Sequence, residues 1–293
     1  ITLWPPLYPS IIAFLGWLTN SDVVVVARFL NIALAAVVVL LTGIYARQLK
    51  IAEILSLGAA AITAWSFSIV STRLMAWSEP LFVVLLILSL IALTRYITHH
   101  NFSSILLFIF AASLMVVTRY IGVVIIPVGF IVILVFSKAS RLNRLITALI
   151  VSVIVTLPLL AVFIRNRIVS GSIMGPRHPS TTIFLETAAD AARVITGWFL
   201  PSSFSDNGFV VLTGVLITQL ILAAVFLERR RTQDTKQSTI LHYVPIVLFI
   251  ILYIVFLLTS TTTTNLSSIN DRYLIPIFIP LMLVIFGALS IIF

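Results

Sequence analysis

The residues here that could do chemistry are carboxylates and arginines standing at the edges of long apolar runs. Asp271, Arg272 and Tyr273 open the apolar stretch "DRYLIPIFIPLML". Glu79 precedes Pro80 at the mouth of another, in "STRLMAWSEP", six residues after Arg73. Arg119 lies in "VTRYIG", Arg165 opens "RNRIVSGS", and Arg177 and His178 stand together in "GPRHPS". Arginine is the better bidentate partner for phosphate or carboxylate, and a carboxylate can act as general base or orient a hydroxyl. Such residues at an apolar boundary fit work on an anionic, partly lipidic molecule. Each also has a plainer reading. An arginine at a helix end can snorkel to lipid headgroups, and Glu79 can serve as an acid favoured by a helix N-terminus. His178 alone lacks a partner at metal-ligand spacing, and His99 and His100 read as loop residues.

The elements that position these residues follow from composition. Of 293 residues, 61% are hydrophobic and 9% charged, where a soluble domain carries about 25% charged residues. The chain reads as an all-α, polytopic integral membrane protein forming one domain over 1–293. With no cysteine, disulfides and thiolate metal sites are excluded. The basic residues are scattered between apolar runs, so the net charge of +9 is no sign of nucleic-acid binding. The start at Ile1, in "ITLWPP", reads as a fragment missing at least one upstream helix; the C-terminus reads as open too.

About 20 apolar residues cross a bilayer as a helix. Nine spans are expected, at 22–45, 51–71, 80–97, 103–118, 120–137, 145–164, 208–227, 241–259 and 273–293. The fourth and fifth share the turn "TRYIG" and should pair as a hairpin. Residues 7–18 are too short to span and suit an interfacial helix. The long connection 165–207 carries an amphipathic helical pattern over 183–198, with Glu186, Asp190 and Arg193 on one face.

Lysine and arginine set the orientation. One set of connections holds ten basic residues against three acids, net +7, including Arg47, Lys50, Lys138, Arg141 and Arg144. The other holds eight against six, net +2, and all eight are arginine. The first set is expected to be cytoplasmic, which puts Glu79, Arg119, Arg165 and Arg272 at the outer or periplasmic face of a cell membrane. The sequons at Asn101 and Asn265 are common by chance. Apart from Gln219, few strongly polar residues fall near span centres, which argues against a transporter's midplane site.

The segment 4–49, with "WPPLYP" leading into an interfacial helix and "ARFLN" opening a span, resembles the start of the conserved region of the GT-C glycosyltransferases, the protein mannosyltransferase and aminoarabinose transferase relatives. "MAWSEPLFVVLLILSL", "VTRYIGVVIIPVG", "RNRIVSGS" and "DRYLIPIFIPLML" are similar to further family segments in the same order. The resemblance implies inverting transfer of a sugar from a polyprenyl-phosphate carrier. It implies a catalytic carboxylate in an outer loop upstream of the Pro-Pro motif, outside this sequence. Glu79 then matches the family's second-loop acid, an acceptor orienter or cation ligand, with a divalent cation left open. Arg272, Tyr273, Arg165, Arg73 and Arg119 are assigned to the donor phosphate, Asp271 orients Arg272, and Arg177 and His178 join the acceptor side. Trp4 stands where aminoarabinose transferases carry a lysine. The competing readings are a flippase or exporter of lipid-linked glycans and a polymerase or ligase of lipid-linked oligosaccharides.

Overall fold

The computed structural model describes residues 4–66, 75–175, 179–199, 214, 237–264 and 269–292. It is all-helical, with no strand among the described residues. The helices are α1 (Leu7–Thr19), α2 (Val23–Gln48), α3 (Glu53–Trp65), α4 (Glu79–His99), α5 (Phe102–Val116), α6 (Ile125–Phe136), α7 (Arg141–Ser170), α8 (Phe184–Gly197), α9 (Gln237–Thr263) and α10 (Asp271–Ile292); a 3-10 turn, Tyr120–Val124, leads into α6.

Local chemistry sets their limits. Asp22 caps α2 by accepting from the backbone N–H groups of Val24 and Val25, at 2.8 and 3.3 Å. Pro80 stands in the first turn of α4, where its missing N–H costs nothing. α7 starts on the Ser140 cap and stops at Gly171, whose φ of 69° suits a left-handed cap. α10 carries Pro276 and Pro280 within its first three turns.

Five helices are long and apolar enough to cross a membrane: α2, α4, α7, α9 over Leu241–Thr263, and α10 over Asp271–Ser290. The nine expected spans are therefore matched in part. Where 51–71 was expected, the described helix is the 13-residue α3, about 20 Å of rise. The segments 103–118 and 120–137 are shorter apolar helices, and 208–227, apart from Gly214, lies outside the described residues.

The two segments turn back on each other, but α5 packs on α4 and α7, and α6 on α7, so they do not pair as the expected hairpin; two glycines sit where they touch. A side chain at Gly122 would meet the Met115 carbonyl oxygen at 2.7 Å, and one at Gly129 would meet the Phe108 ring at 2.5 Å. α4 lies at the centre of the bundle, with 16 of its 21 residues buried. Around it stand α2, α5, α6, α9 and α10.

The chain alternates between two ends. The starts of α2, α4 and α10 lie at one, which we call the Glu79 end. The finish of α10 lies at the other, where Ser290 accepts from the Ala52 N–H at 2.9 Å. There too Tyr243, early in α9, donates to the Leu49 carbonyl at 3.2 Å. Among the described residues, the basic connections split as expected, with Arg47, Lys50, Lys138, Arg141 and Arg144 at the far end from Glu79.

Candidate functional site

Glu79 occupies the first turn of α4 with its carboxylate fully buried. A charge in that position must be paired. Its Oε1 lies 2.6 Å from a terminal guanidinium nitrogen of Arg119, a close ion pair, and accepts a hydrogen bond from Arg272 Nε. Oε2 is buried and accepts no hydrogen bond among the described residues. Two guanidinium groups share one carboxylate, so the cluster is net positive.

Each arginine is held from more than one side. Arg119 follows the end of α5, in extended backbone, and its N–H donates to the Met115 carbonyl at 3.2 Å. Its guanidinium lies 5.9 Å from the Phe82 ring centre. Arg272 stands in the first turn of α10, where its N–H donates to Asn270 Oδ1 at 3.1 Å. Its guanidinium lies 4.8 Å from the Trp77 ring and 5.8 Å from the Trp4 ring, within cation–π range of both. Its side chain is 32% exposed, so of the two arginines it is the one open to a second anion; that of Arg119 is 13% exposed.

Trp77 is set by a buried asparagine that the sequence reading did not single out. Asn31, inside apolar α2, donates through Nδ2 to the carbonyls of Met75 and Trp77, at 2.7 and 3.1 Å. Its Oδ1 accepts from the Tyr8 hydroxyl at 3.0 Å. One side chain therefore joins α1, α2 and the segment before α4. Burial pushes the Tyr8 phenol up to about 12; the Asn31 hydrogen bond pulls the other way, and the Glu79 charge adds to the rise. The signal was available in "ARFLN", where an amide sits inside an otherwise apolar run.

Other expected residues are placed differently. Asp271 does not orient Arg272: its Oδ1 accepts from Trp198 Nε1 at 2.8 Å, while Glu79 is the carboxylate on Arg272. The helix start projects the two neighbouring side chains in different directions, Asp271 towards α8 and Arg272 towards α4. The backbone carbonyl of Tyr273 accepts from the buried Tyr253 hydroxyl at 2.7 Å, which anchors the start of α10. Arg165 lies exposed near the end of α7 and donates to its neighbour Asn166 at 3.3 Å. Asn166 in turn donates to the Tyr120 hydroxyl at 3.2 Å, which places Arg165 beside the cluster and not within it. Arg73, Arg177 and His178 lie outside the described residues.

The expected amphipathic helix is α8. Ile183, Phe184 and Leu185 are exposed at its start, and Asp190 pairs with Arg193 at 3.2 Å. It is fixed at the Glu79 end by the Trp198–Asp271 bond and by the Trp198 ring, edge-on to Phe278 at 5.1 Å. Among the described residues no three His, Asp or Glu side chains gather at metal-binding separation.

Chemically, the cluster can hold an anion through Arg272 while Glu79 keeps both guanidinium groups in place. Both arginines compete for the lone pairs of Oε1, so that oxygen acts as a counter-ion. The chain matches no known protein family, no curated protein and no solved structure.

Proposed function

We propose that this chain belongs to a multi-pass membrane glycosyltransferase that moves a sugar from a polyprenyl-phosphate donor to an acceptor at the Glu79 end, with inversion. The observation that carries the reading is the buried Glu79–Arg119–Arg272 cluster, net positive, partly open, and flanked by Trp4 and Trp77. In this mechanism the acceptor oxygen attacks the anomeric carbon as the bond from that carbon to the phosphate oxygen breaks. The lipid phosphate leaves with the electron pair, and Arg272, backed by Arg119, stabilises its charge. The acceptor's proton passes to a carboxylate that the family resemblance puts upstream of Trp4. Glu79 is a positioning residue, with both arginines as its cargo.

The layout proposed is nine crossings with the Glu79 end outside, following the lysine and arginine bias. α8 and the start of α9 lie at opposite ends of the bundle, and the apolar segment 208–227 would supply the crossing between them. A transport role has less support. Among the described residues the buried hydroxyls of α4 have protein partners: Ser89 donates to the Leu85 carbonyl at 2.8 Å, and Thr94 meets Tyr45 of α2 at 3.2 Å and donates to the His242 carbonyl of α9 at 3.4 Å.

The test is release of polyprenyl phosphate from a lipid-phosphate-linked sugar by the full-length protein in proteoliposomes supplied with membrane acceptors. Arg272→Ala should lower transfer by about 10²–10³-fold while insertion is retained, the scale of losing a transition-state charge partner. Transfer by Arg272→Ala at the rate of the unmodified protein would rule the role out.

A further inference from the structure

The end of the bundle opposite Glu79 holds a second group of charges that the reading above does not use. It is built around the turn between α6 and α7. Ser137 in this turn meets the Tyr96 hydroxyl of α4 at 3.3 Å. The His100 ring lies edge-on to Tyr96 at 5.8 Å, and its Nε2 is buried without a hydrogen-bond partner among the described residues. Arg144 folds back on the turn, donating to the carbonyls of Ala139 and Val135 at 2.7 and 3.2 Å. Lys138 and Arg141 are exposed beside it.

This arrangement is electrostatically unbalanced. Arg141 and Arg144 fall in the first turn of α7, where the helix dipole disfavours cations, and that turn contains no acid. No ion pair reaches Lys138, Arg141 or Arg144 among the described residues, whereas Arg47 on the same face pairs with Glu53 at 3.0 Å. Burial, together with the charges of Lys138 and Arg144, holds the His100 imidazole below its ordinary range. The apolar surroundings indicate what kind of anion fits. Leu142, Leu145, Ile146 and Leu149 are exposed along α7 directly beyond the basic turn. A molecule held at the turn by a phosphate and carrying acyl chains would lay those chains along this face.

We propose that the turn at Lys138, Arg141 and Arg144 binds the headgroup phosphate of an anionic phospholipid whose acyl chains lie on the Leu142–Leu149 face of α7. The site is separate from the Glu79 cluster and does not depend on the transferase reading. It requires only that α7 cross the bilayer, which its length and composition allow. Basic groups at the cytoplasmic margin of membrane helices commonly select such lipids.

The test is native mass spectrometry of the purified protein titrated with phosphatidylglycerol and with phosphatidylcholine of the same acyl chains. Phosphatidylglycerol should bind more tightly. Lys138→Gln and Arg141→Gln should each weaken it by about fivefold, the scale of one basic residue near a phosphate. Both side chains are exposed, so neither variant disturbs packing. Arg47→Gln, which removes a basic residue from the same face, should leave binding unchanged. Equal binding of the two lipids would overturn the proposal, as would an equal loss in Arg47→Gln. Displacement of phosphatidylglycerol by millimolar inorganic phosphate would overturn the lipid assignment in favour of a soluble anion.

Discussion

Arg119 and Arg272, one following α5 and the other opening α10, converge on a single oxygen of Glu79. Three helix boundaries are joined by this one atom, and the carboxylate is fully buried. Glu79→Ala would leave two guanidinium groups close together with no counter-charge. We expect a loss of roughly 3 kcal/mol, at the low end for a broken buried pair because Arg272 is 32% exposed. Thermal unfolding in detergent micelles would check this; a melting temperature equal to that of the unmodified protein would contradict it.

Asn31 ties Tyr8, Met75 and Trp77 together. Asn31→Ala removes the partner of two carbonyls and a hydroxyl, and should destabilise by about 2–3 kcal/mol. It should also free Trp77 from Arg272, which single-tryptophan fluorescence of Trp77 would register as a changed emission maximum. An unchanged spectrum would separate Trp77 from Asn31.

The Tyr8 phenol gives a pH test. Its pKa is raised from 10.0 to about 12 in the folded protein. The stability that follows from the raised value is fully present below pH 10 and is lost as the pH rises through about 12. The ultraviolet ionisation difference between the unmodified protein and Tyr8→Phe should therefore develop near pH 12. A difference that develops at pH 10 would mean that the phenol is solvated.

Gly122 permits the turn that presents Arg119. Gly122→Ala would push a methyl group against the Met115 carbonyl, which is backbone and cannot swing away. The expected cost is about 1–3 kcal/mol, measurable as a lower denaturation midpoint. Gly171→Ala, whose new Cβ meets nothing within 4 Å but sits at a φ of 69°, is the comparison for strain without a clash.

Trp198→Phe keeps a ring against Phe278 but removes the donor to Asp271. The loss should be about 1 kcal/mol and should be local. Trypsin should cut after Arg193 faster than in the unmodified protein, with the global melting temperature little changed. Equal cleavage rates would mean that ring packing alone holds α8.

Much of this was legible in the sequence because it is written locally. The length of apolar runs placed α2 and α4 to within three residues, whereas α7 extends beyond the expected 145–164 at both ends, to Arg141 and Ser170, because its end turns are polar. Lysine and arginine placement told the two ends of the bundle apart. The alternation of helices also places the starts of α4 and α10 at the same end. Which neighbour each side chain meets there is another matter. Asp271 stands beside Arg272 in sequence, yet the partner of Arg272 is Glu79, because helix rotation sends adjacent side chains different ways. Asn31 is a lone amide in an apolar run, and its three partners come from segments that only the packed bundle brings within reach. His100 read as an idle loop residue for the same reason: Lys138 and Arg144 approach it only when the α6–α7 turn packs against the end of α4.

The two prolines of α10 bear on how Arg272 is mounted. Pro276 has no N–H for the Arg272 carbonyl, and Pro280 has none for that of Pro276. The helix thus lacks two rungs, four residues apart, just beyond the residue that meets Glu79. Tyr253 and Trp198 fasten the short head of the helix from outside, through Tyr273 and Asp271. The stretch between Arg272 and Pro280 is instead held by packing, with Leu274, Ile275, Ile277, Phe278 and Ile279 all buried.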